Sequence, residues 1–164
     1  MGKVNTHQYF TDAVFENGQA LEERASNYLS SMGIRYKQSP KGPNAGIDFI
    51  IDGQIYMDCV AQKESGSIGD KLPTKIFKYV KKYKLKEIYI LHPYSPITKT
   101  VAEFLEFLEI HLNVTIHILD WNDFIYVANG GRFTVRKPYH FTKDSGKVSN
   151  HTTTTEAIHK HFKF

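Results

Sequence analysis

Apolar positions along the chain change their period several times. After a polar arm at residues 1–12, residues 16–32 carry a helical stripe of Leu21, Ala25, Tyr28, Leu29 and Met32, with Gly33 as a stop. Ile34-Arg35-Tyr36-Lys37 reads as a short strand, and residues 39–46 as a loop rich in Gly and Pro. From residue 46 the period falls to two. Ile47, Phe49 and Ile51 alternate with Asp48 and Ile50, and Asp52-Gly53 signals a tight turn into a second strand reaching residue 62.

Two loop geometries fit that turn. A two-residue loop pairs Asp48 with Met57 and drives Tyr56, Asp58, Val60 and Gln62 toward the core. A three-residue loop, Ile51-Asp52-Gly53, pairs Asp48 with Tyr56. It buries Ile55, Met57, Cys59 and Ala61 and leaves Asp58, Val60 and Gln62 beside Asp48. Burying Asp58 and Gln62 is costly, so the second register is expected. Two acids and an amide then share one face. Close carboxylates repel and lose hydration, which a fold tolerates when a divalent cation lies between them.

Residues 64–70 read as a loop, and Pro73 as the opening of a helix with Leu72, Ile76, Phe77 and Val80 inside and Lys75, Lys78, Lys81 and Lys82 elsewhere. Residues 86–91 form a buried strand. Ser95-Pro96 caps a further helix, with Val101, Phe104, Leu105, Leu108 and Leu112 inside and Glu103, Glu106 and Glu109 outside. Residues 114–119 are the next strand, and Trp121 after it is a packing residue. Strands joined by helices at this spacing predict an α/β fold, a mixed β-sheet flanked by helices. Asn129-Gly130-Gly131 breaks the chain. Residues 132–164 lack a clear helical stripe and mix basic with aromatic side chains, a composition that suits a nucleic-acid surface, a solvated tail or an arm on a partner subunit. The expected organisation is a core over 1–128 and a basic aromatic extension over 129–164.

Length and composition narrow the function. At 164 residues, with 41% hydrophobic and 23% charged residues, the chain fits one soluble domain with a real core. No apolar run approaches a membrane span and no signal peptide is visible, so a cytoplasmic protein without membrane contact is expected. The lone Cys59 excludes an internal disulfide framework, and its apolar strand position makes it a structural thiol. A net charge of +4 permits a polyanionic partner. The histidines have no zinc-like spacing with cysteine, and no P-loop is present.

The order helix 16–32, strand 34–37, acidic hairpin 46–62, helix 73–83, strand 86–91 resembles the PD-(D/E)XK nuclease superfamily, the restriction-endonuclease-like fold, over residues 16–120. The resemblance implies that Asp48 and Asp58 hold Mg²⁺, with Mn²⁺ an acceptable substitute, and that Asp58-Cys59-Val60 is the (D/E)XK triplet. It implies the first-helix Glu22, next to Glu23, as a third metal ligand. The segment Gln62…Ser65-Gly66-Ser67…Asp70-Lys71-Leu72-Pro73 is similar to one that follows the triplet in some members. Ile47 replaces the signature proline, and Val60 stands where the signature lysine belongs. Gln62 orienting water, or Lys71 reaching in from the loop, would fill that role. Otherwise the triplet is Ala61-Gln62-Lys63, with an acid missing at Ala61 and Lys63 as the lysine.

The implied activity is metal-assisted hydrolysis of DNA by an endonuclease, sequence-specific in the restriction or homing manner and acting as a symmetric homo-oligomer. A junction-resolving nuclease acting on branched DNA and a catalytically dead DNA-binding module share the same core. Lys41, Lys75, Lys78, Arg132, Arg136 and Lys137 are the candidate contacts to double-stranded or branched DNA.

Overall fold

The computed structural model describes residues 17–61, 68–93, 96–142 and 148–152, with side chains over 17–61, 71–93 and 96–141. Helix α1 spans Gly18–Ser31. The Asn17 side chain caps it by accepting from Ala20 N at 2.8 Å, which satisfies a donor the helix cannot. Leu21, Ala25 and Leu29 are buried at i, i+4 and i+8, and Glu22 is buried beside them. Gly33 takes φ of 68° just past the end. Met32, expected on the inner stripe, is instead the C-cap and exposed.

Strands β1 (Tyr36–Gln38), β2 (Phe49–Ile51) and β3 (Ile55–Cys59) form an antiparallel meander. Asp52 and Gly53 both hold positive φ, and Gln54 N donates to Ile51 O at 3.0 Å. The loop is therefore Asp52-Gly53-Gln54. Ile51 is not part of it but pairs with Ile55, and Phe49 pairs with Met57. The expected pairing of Asp48 with Tyr56 is thus displaced by two residues. A shift of two keeps every side chain on its face, so Ile55, Met57 and Cys59 are buried as expected.

Helix α2 (Ile68–Tyr83) starts ahead of Pro73, which lies inside it. The loop expected over 64–70 therefore yields to helix from Ile68, and Pro73 removes an intrahelical bond rather than an idle donor. Strand β4 (Glu87–Leu91) runs parallel to β3, and β6 (Thr115–Leu119) parallel to β4, completing a five-stranded mixed sheet in the order β1-β2-β3-β4-β6. Between them lie β5 (Ile97–Thr98) and helix α3 (Lys99–Leu112), and α4 (Trp121–Ala128) follows β6. Thr98, not Ser95, caps α3, accepting from Val101 N at 3.2 Å. A small second sheet joins β5, β7 (His140–Thr142) and β8 (Val148–Thr152).

The main sheet divides two apolar layers. Ile88 and Ile90 of β4 pack with Leu72, Ile76, Leu105 and Ile116 on the α2–α3 side. Tyr89 and Leu91 pack with Leu21, Leu29, Phe49, Met57 and Phe124 on the α1–α4 side. No helix of the described residues is long and apolar enough to cross a membrane.

Helix α3 buries Val101, Leu105 and Leu108 as expected, but its inner face is shifted at three positions. Phe104 is exposed, whereas Glu106 is buried and Glu109 faces inward. The inward turn closes the edge of the sheet. Glu109 Oε2 accepts from Ile116 N at 2.9 Å, and Tyr139 Oη donates to Ile116 O at 3.0 Å. Side chains here do for edge strand β6 what a further strand would do. Arg136 Nε lies 3.0 Å from both Glu109 carboxylate oxygens, and its guanidinium sits 3.7 Å over the Tyr139 ring. Arg136 and Tyr139 are both buried, so this part of the basic aromatic segment belongs to the packed body.

Candidate active site

Extending the β2–β3 register from Phe49 and Met57 sets Asp48 opposite Asp58. Each carboxylate is pinned by the other strand. Asp48 N donates to Asp58 Oδ1 at 3.3 Å, and Cys59 N donates to Asp48 Oδ2 at 2.8 Å. Burial is the main force on Asp48 and raises its pKa. The charge of Asp58 pushes the same way, the Cys59 N–H opposes, and the net result is a pKa of about 8. Burial, and then the Asp48 and Asp58 charges, push the Cys59 thiol well above its usual range, as befits an inert structural thiol.

Lys75 reaches the pair from α2, with Nζ 3.2 Å from Asp58 Oδ2. Its side chain stays 43% exposed while Asp58 is 1% exposed, so the ammonium enters from the rim. The sequence reading turned Lys75 away from the core and treated it only as a DNA contact. Its position one turn from Tyr79 and beside Ile76 was the available signal. Val60 is buried among Ile47, Leu72 and Ile76, and so presents no polar group to the acids.

Glu22 is buried on α1, and its Oε2 is bound by Lys41 of the 39–46 loop. Burial lowers the Lys41 pKa, but the Glu22 hydrogen bond and charge, together with Asp48, outweigh it and leave it raised. Glu22 Oε1 is buried without a hydrogen-bond partner. The Glu22 charge adds a smaller upward push on the Asp48 pKa.

The approach to Asp48 is held by two tyrosines of α2 that the sequence reading did not single out. Tyr83 Oη accepts from Ile47 N at 3.1 Å, Tyr79 Oη donates to Gly46 O at 3.4 Å, and Ser39 Oγ accepts from Gly46 N at 2.7 Å. A Cβ on Gly46 would stand 2.1 Å from Tyr83 Oη, so only glycine permits this approach. Burial and the nearby Asp58 and Asp48 charges raise the Tyr79 pKa, which keeps its hydroxyl a donor.

A cleft of about 250 Å³ adjoins the acids, lined by Gly18, Cys59, Val60, Ala61, Lys71, Leu72 and Lys75. Lys71 thus lines the cleft without touching either carboxylate among the described contacts. Gln62 and Lys63 lie outside the described residues. Lys78 is exposed on α2. The other expected DNA contacts are spent elsewhere. Arg136 binds Glu109, Lys137 Nζ lies 2.6 Å from Asp123 Oδ1, and Arg132 Nη1 donates to Val127 O at 3.1 Å beyond α4. A larger hollow of about 440 Å³ lies by Arg132 at the start of β3, away from the acids. Its Arg35 is bound to Asp52 at 3.2 Å.

Among the described residues, no trio of His, Cys, Asp and Glu side chains is arranged as a ready ligand set. The Asp48–Asp58 pair still fits a hard cation. Mg²⁺ commonly takes one or two carboxylates and fills its remaining positions with water and substrate phosphate. The unpartnered Glu22 Oε1 is a further buried oxygen near the pair.

No family model matches the chain, and no curated protein matches it in sequence. Among solved structures, the chain is similar to one from the CdiA-CT/CdiI toxin and immunity complex of Burkholderia pseudomallei, with 19% identity and a TM-score of 0.36 over 73% of this chain and 90% of that chain. A likeness of that size says nothing about activity.

Proposed function

We propose that the chain is a metal-dependent nuclease hydrolysing DNA phosphodiester bonds at Asp48 and Asp58. The observation that carries this reading is the direct apposition of two desolvated carboxylates on neighbouring strands. A fold that holds such a pair together needs a proton or a cation between them. Lys71 and Lys75 line the cleft next to Cys59, one residue beyond Asp58, so anionic substrate is favoured there.

Asp48 and Asp58 would hold the ion, with water and substrate phosphate filling its remaining positions. A bound divalent ion supplies charge neutralisation at phosphoryl oxygens and a water of lowered pKa. Lys75 offers an ammonium to phosphate charge from beside Asp58, the part the family resemblance assigns to the residue at Val60. Tyr79 and Tyr83 fix the backbone ahead of Asp48 and so fix where its carboxylate points. Cutting both strands of a duplex with one such site per chain calls for a two-fold assembly, as in restriction or homing enzymes.

Val60, a valine where the resemblance expects the signature lysine, favours a second reading, a DNA-binding module on the same scaffold that no longer cuts. Incubation of the chain with supercoiled and branched DNA in Mg²⁺ or Mn²⁺ separates the two. Metal-dependent nicking that disappears in Asp48→Asn, with binding retained, supports the nuclease. Normal cutting by Asp48→Asn removes Asp48 from the site, and salt-sensitive binding without cutting favours the module.

A further inference from the structure

We propose that Lys71, Lys75, Lys78 and Lys82 form a rail along α2 that seats the sugar-phosphate backbone of one nucleic-acid strand and leads it past the Asp48–Asp58 pair. The inference rests on the phosphodiester reading of that pair and names how its substrate is held.

The four lysines stand at i, i+4, i+7 and i+11, so they fall on one narrow stripe of the helix about 16 Å long. The successive steps of about 4.5–6 Å suit a ligand with a repeated negative charge. Like charges one turn apart destabilise a helix by a few tenths of a kcal/mol. Ordinary helix surfaces relieve this with interleaved acids, yet Lys71, Lys78 and Lys82 have no carboxylate partner among the described residues. The helix dipole accounts for Lys81 and Lys82 in the last turn, but not for Lys71, Lys75 and Lys78 aligned ahead of them.

The rail is also fixed in place relative to the acids. Lys78 Nζ lies 5.5 Å from the Tyr79 ring centroid and Lys82 Nζ 5.4 Å from that of Tyr83. These are the two tyrosines that grip Gly46 and Ile47 ahead of Asp48. Lys75 binds Asp58 itself. The stripe therefore touches the site at two places, through Lys75 at Asp58 and through Lys82 beside Gly46, where a Cβ would stand 3.6 Å from its Nζ. The stripe offers only ammonium groups. Such a surface grips phosphates and reads no base edge, so this contact is independent of sequence.

The test is binding of a fluorescein-labelled oligonucleotide of about 20 nucleotides, duplex or single-stranded, by the full chain without divalent ions, read by anisotropy across roughly 50–200 mM salt. Lys78→Gln/Lys82→Gln is expected to weaken binding about tenfold or more at the low-salt end. It should reduce the slope of log K against log salt by about 1.4–1.8, equally on unrelated sequences. Lys81→Gln, on another side of α2, is the control for net charge. Circular dichroism and melting of each variant establish folding.

The rail is overturned if the double variant binds no worse per removed charge than Lys81→Gln, or if its loss is confined to one sequence. It is also overturned if poly-glutamate displaces the wild type as readily as DNA does at equal charge, which would mark an acidic protein as the ligand. Asp48→Asn should keep the wild-type slope. Intact nicking with an unaffected double variant sinks the rail and leaves the nuclease standing. Absent nicking with the predicted slope change does the reverse.

Discussion

Among the described residues, two pairs of aspartates are built for different purposes. Asp120 and Asp123 lie three residues apart at the start of α4, where Asp123 N donates to Asp120 Oδ1 at 2.8 Å and Asp120 N to Asp123 Oδ2 at 3.2 Å. That is a reciprocal capping box, which engages one oxygen of each carboxylate and leaves Asp120 Oδ2 buried without a hydrogen-bond partner. Asp48 and Asp58 come from facing strands and cap no helix. Yet burial raises Asp120 to a pKa of about 7 and Asp48 to about 8, and each pair has a lysine, Lys137 or Lys75. A shifted carboxylate beside a lysine therefore does not mark a functional site by itself. What separates the pairs is that one is explained by local backbone chemistry, whereas the other sits beside a cleft and a lysine stripe.

The sharpest break between them is in activity. Asp48→Asn should reduce metal-dependent nicking of plasmid DNA to background, whereas Asp120→Asn should keep it, since asparagine also caps. Equal loss in both would erase the distinction. Next in size is the scaffold of the Asp48 side. Gly46→Ala sets a methyl group against Tyr83 Oη and should destabilise the fold by about 1–3 kcal/mol in urea denaturation. Tyr83→Phe in the same chain should recover part of that loss, and no recovery would place the strain elsewhere.

On the other side, Asp120→Ala should lose about 1–2 kcal/mol through the missing cap, measured in the same way. A negligible change would show that the capping box contributes little. The last test is the pH dependence. Both Asp48 and Asp120 have folded pKa values above the ordinary carboxylate value of 3.8. Between the two values the folded chain keeps protons that the unfolded chain has released. Stability from these groups is therefore greatest below about pH 4 and falls as pH rises toward about 7 for Asp120 and about 8 for Asp48. Melting at pH 5, 6.5 and 8 should show Asp48→Asn flattening the decline up to about pH 8 and Asp120→Asn flattening it only up to about pH 7. Parallel curves for both variants and the wild type would mean that neither proton is held.

The order α1, β1, β2, β3, α2, β4, α3, β6 and the faces of the hairpin strands were legible along the chain, whereas β5, α4, β7 and β8 were not. Ile47, Phe49 and Ile51 against Asp48 and Ile50 separate apolar from polar with period two, and that parity survives any shift of the hairpin by two residues. The pairing of Asp48 with Asp58 was not legible, because the choice lay in backbone angles at Asp52 and Gly53. On helix α3 the inward turn of Glu106 and Glu109 was not legible for a related reason. Its glutamates look like a solvent face until Ile116 N, at a sheet edge, needs an acceptor and Arg136 arrives to neutralise Glu109. The start of α2 was misread because a proline after a loop-like run suggests a first turn, while Pro73 is accommodated inside the helix.

Local periodicity by itself determined the α/β class, the acidic hairpin, the buried thiol at Cys59 and the lysine-bearing helix, since each follows from spacing between near neighbours. Only tertiary structure decided that Lys75 turns to Asp58, that Tyr79 and Tyr83 hold the segment before Asp48, and that Arg136 is consumed inside the body. Those outcomes depend on which long side chains meet across elements. A lysine or arginine reaches far enough to serve either solvent or a buried carboxylate, and the packed neighbours settle which.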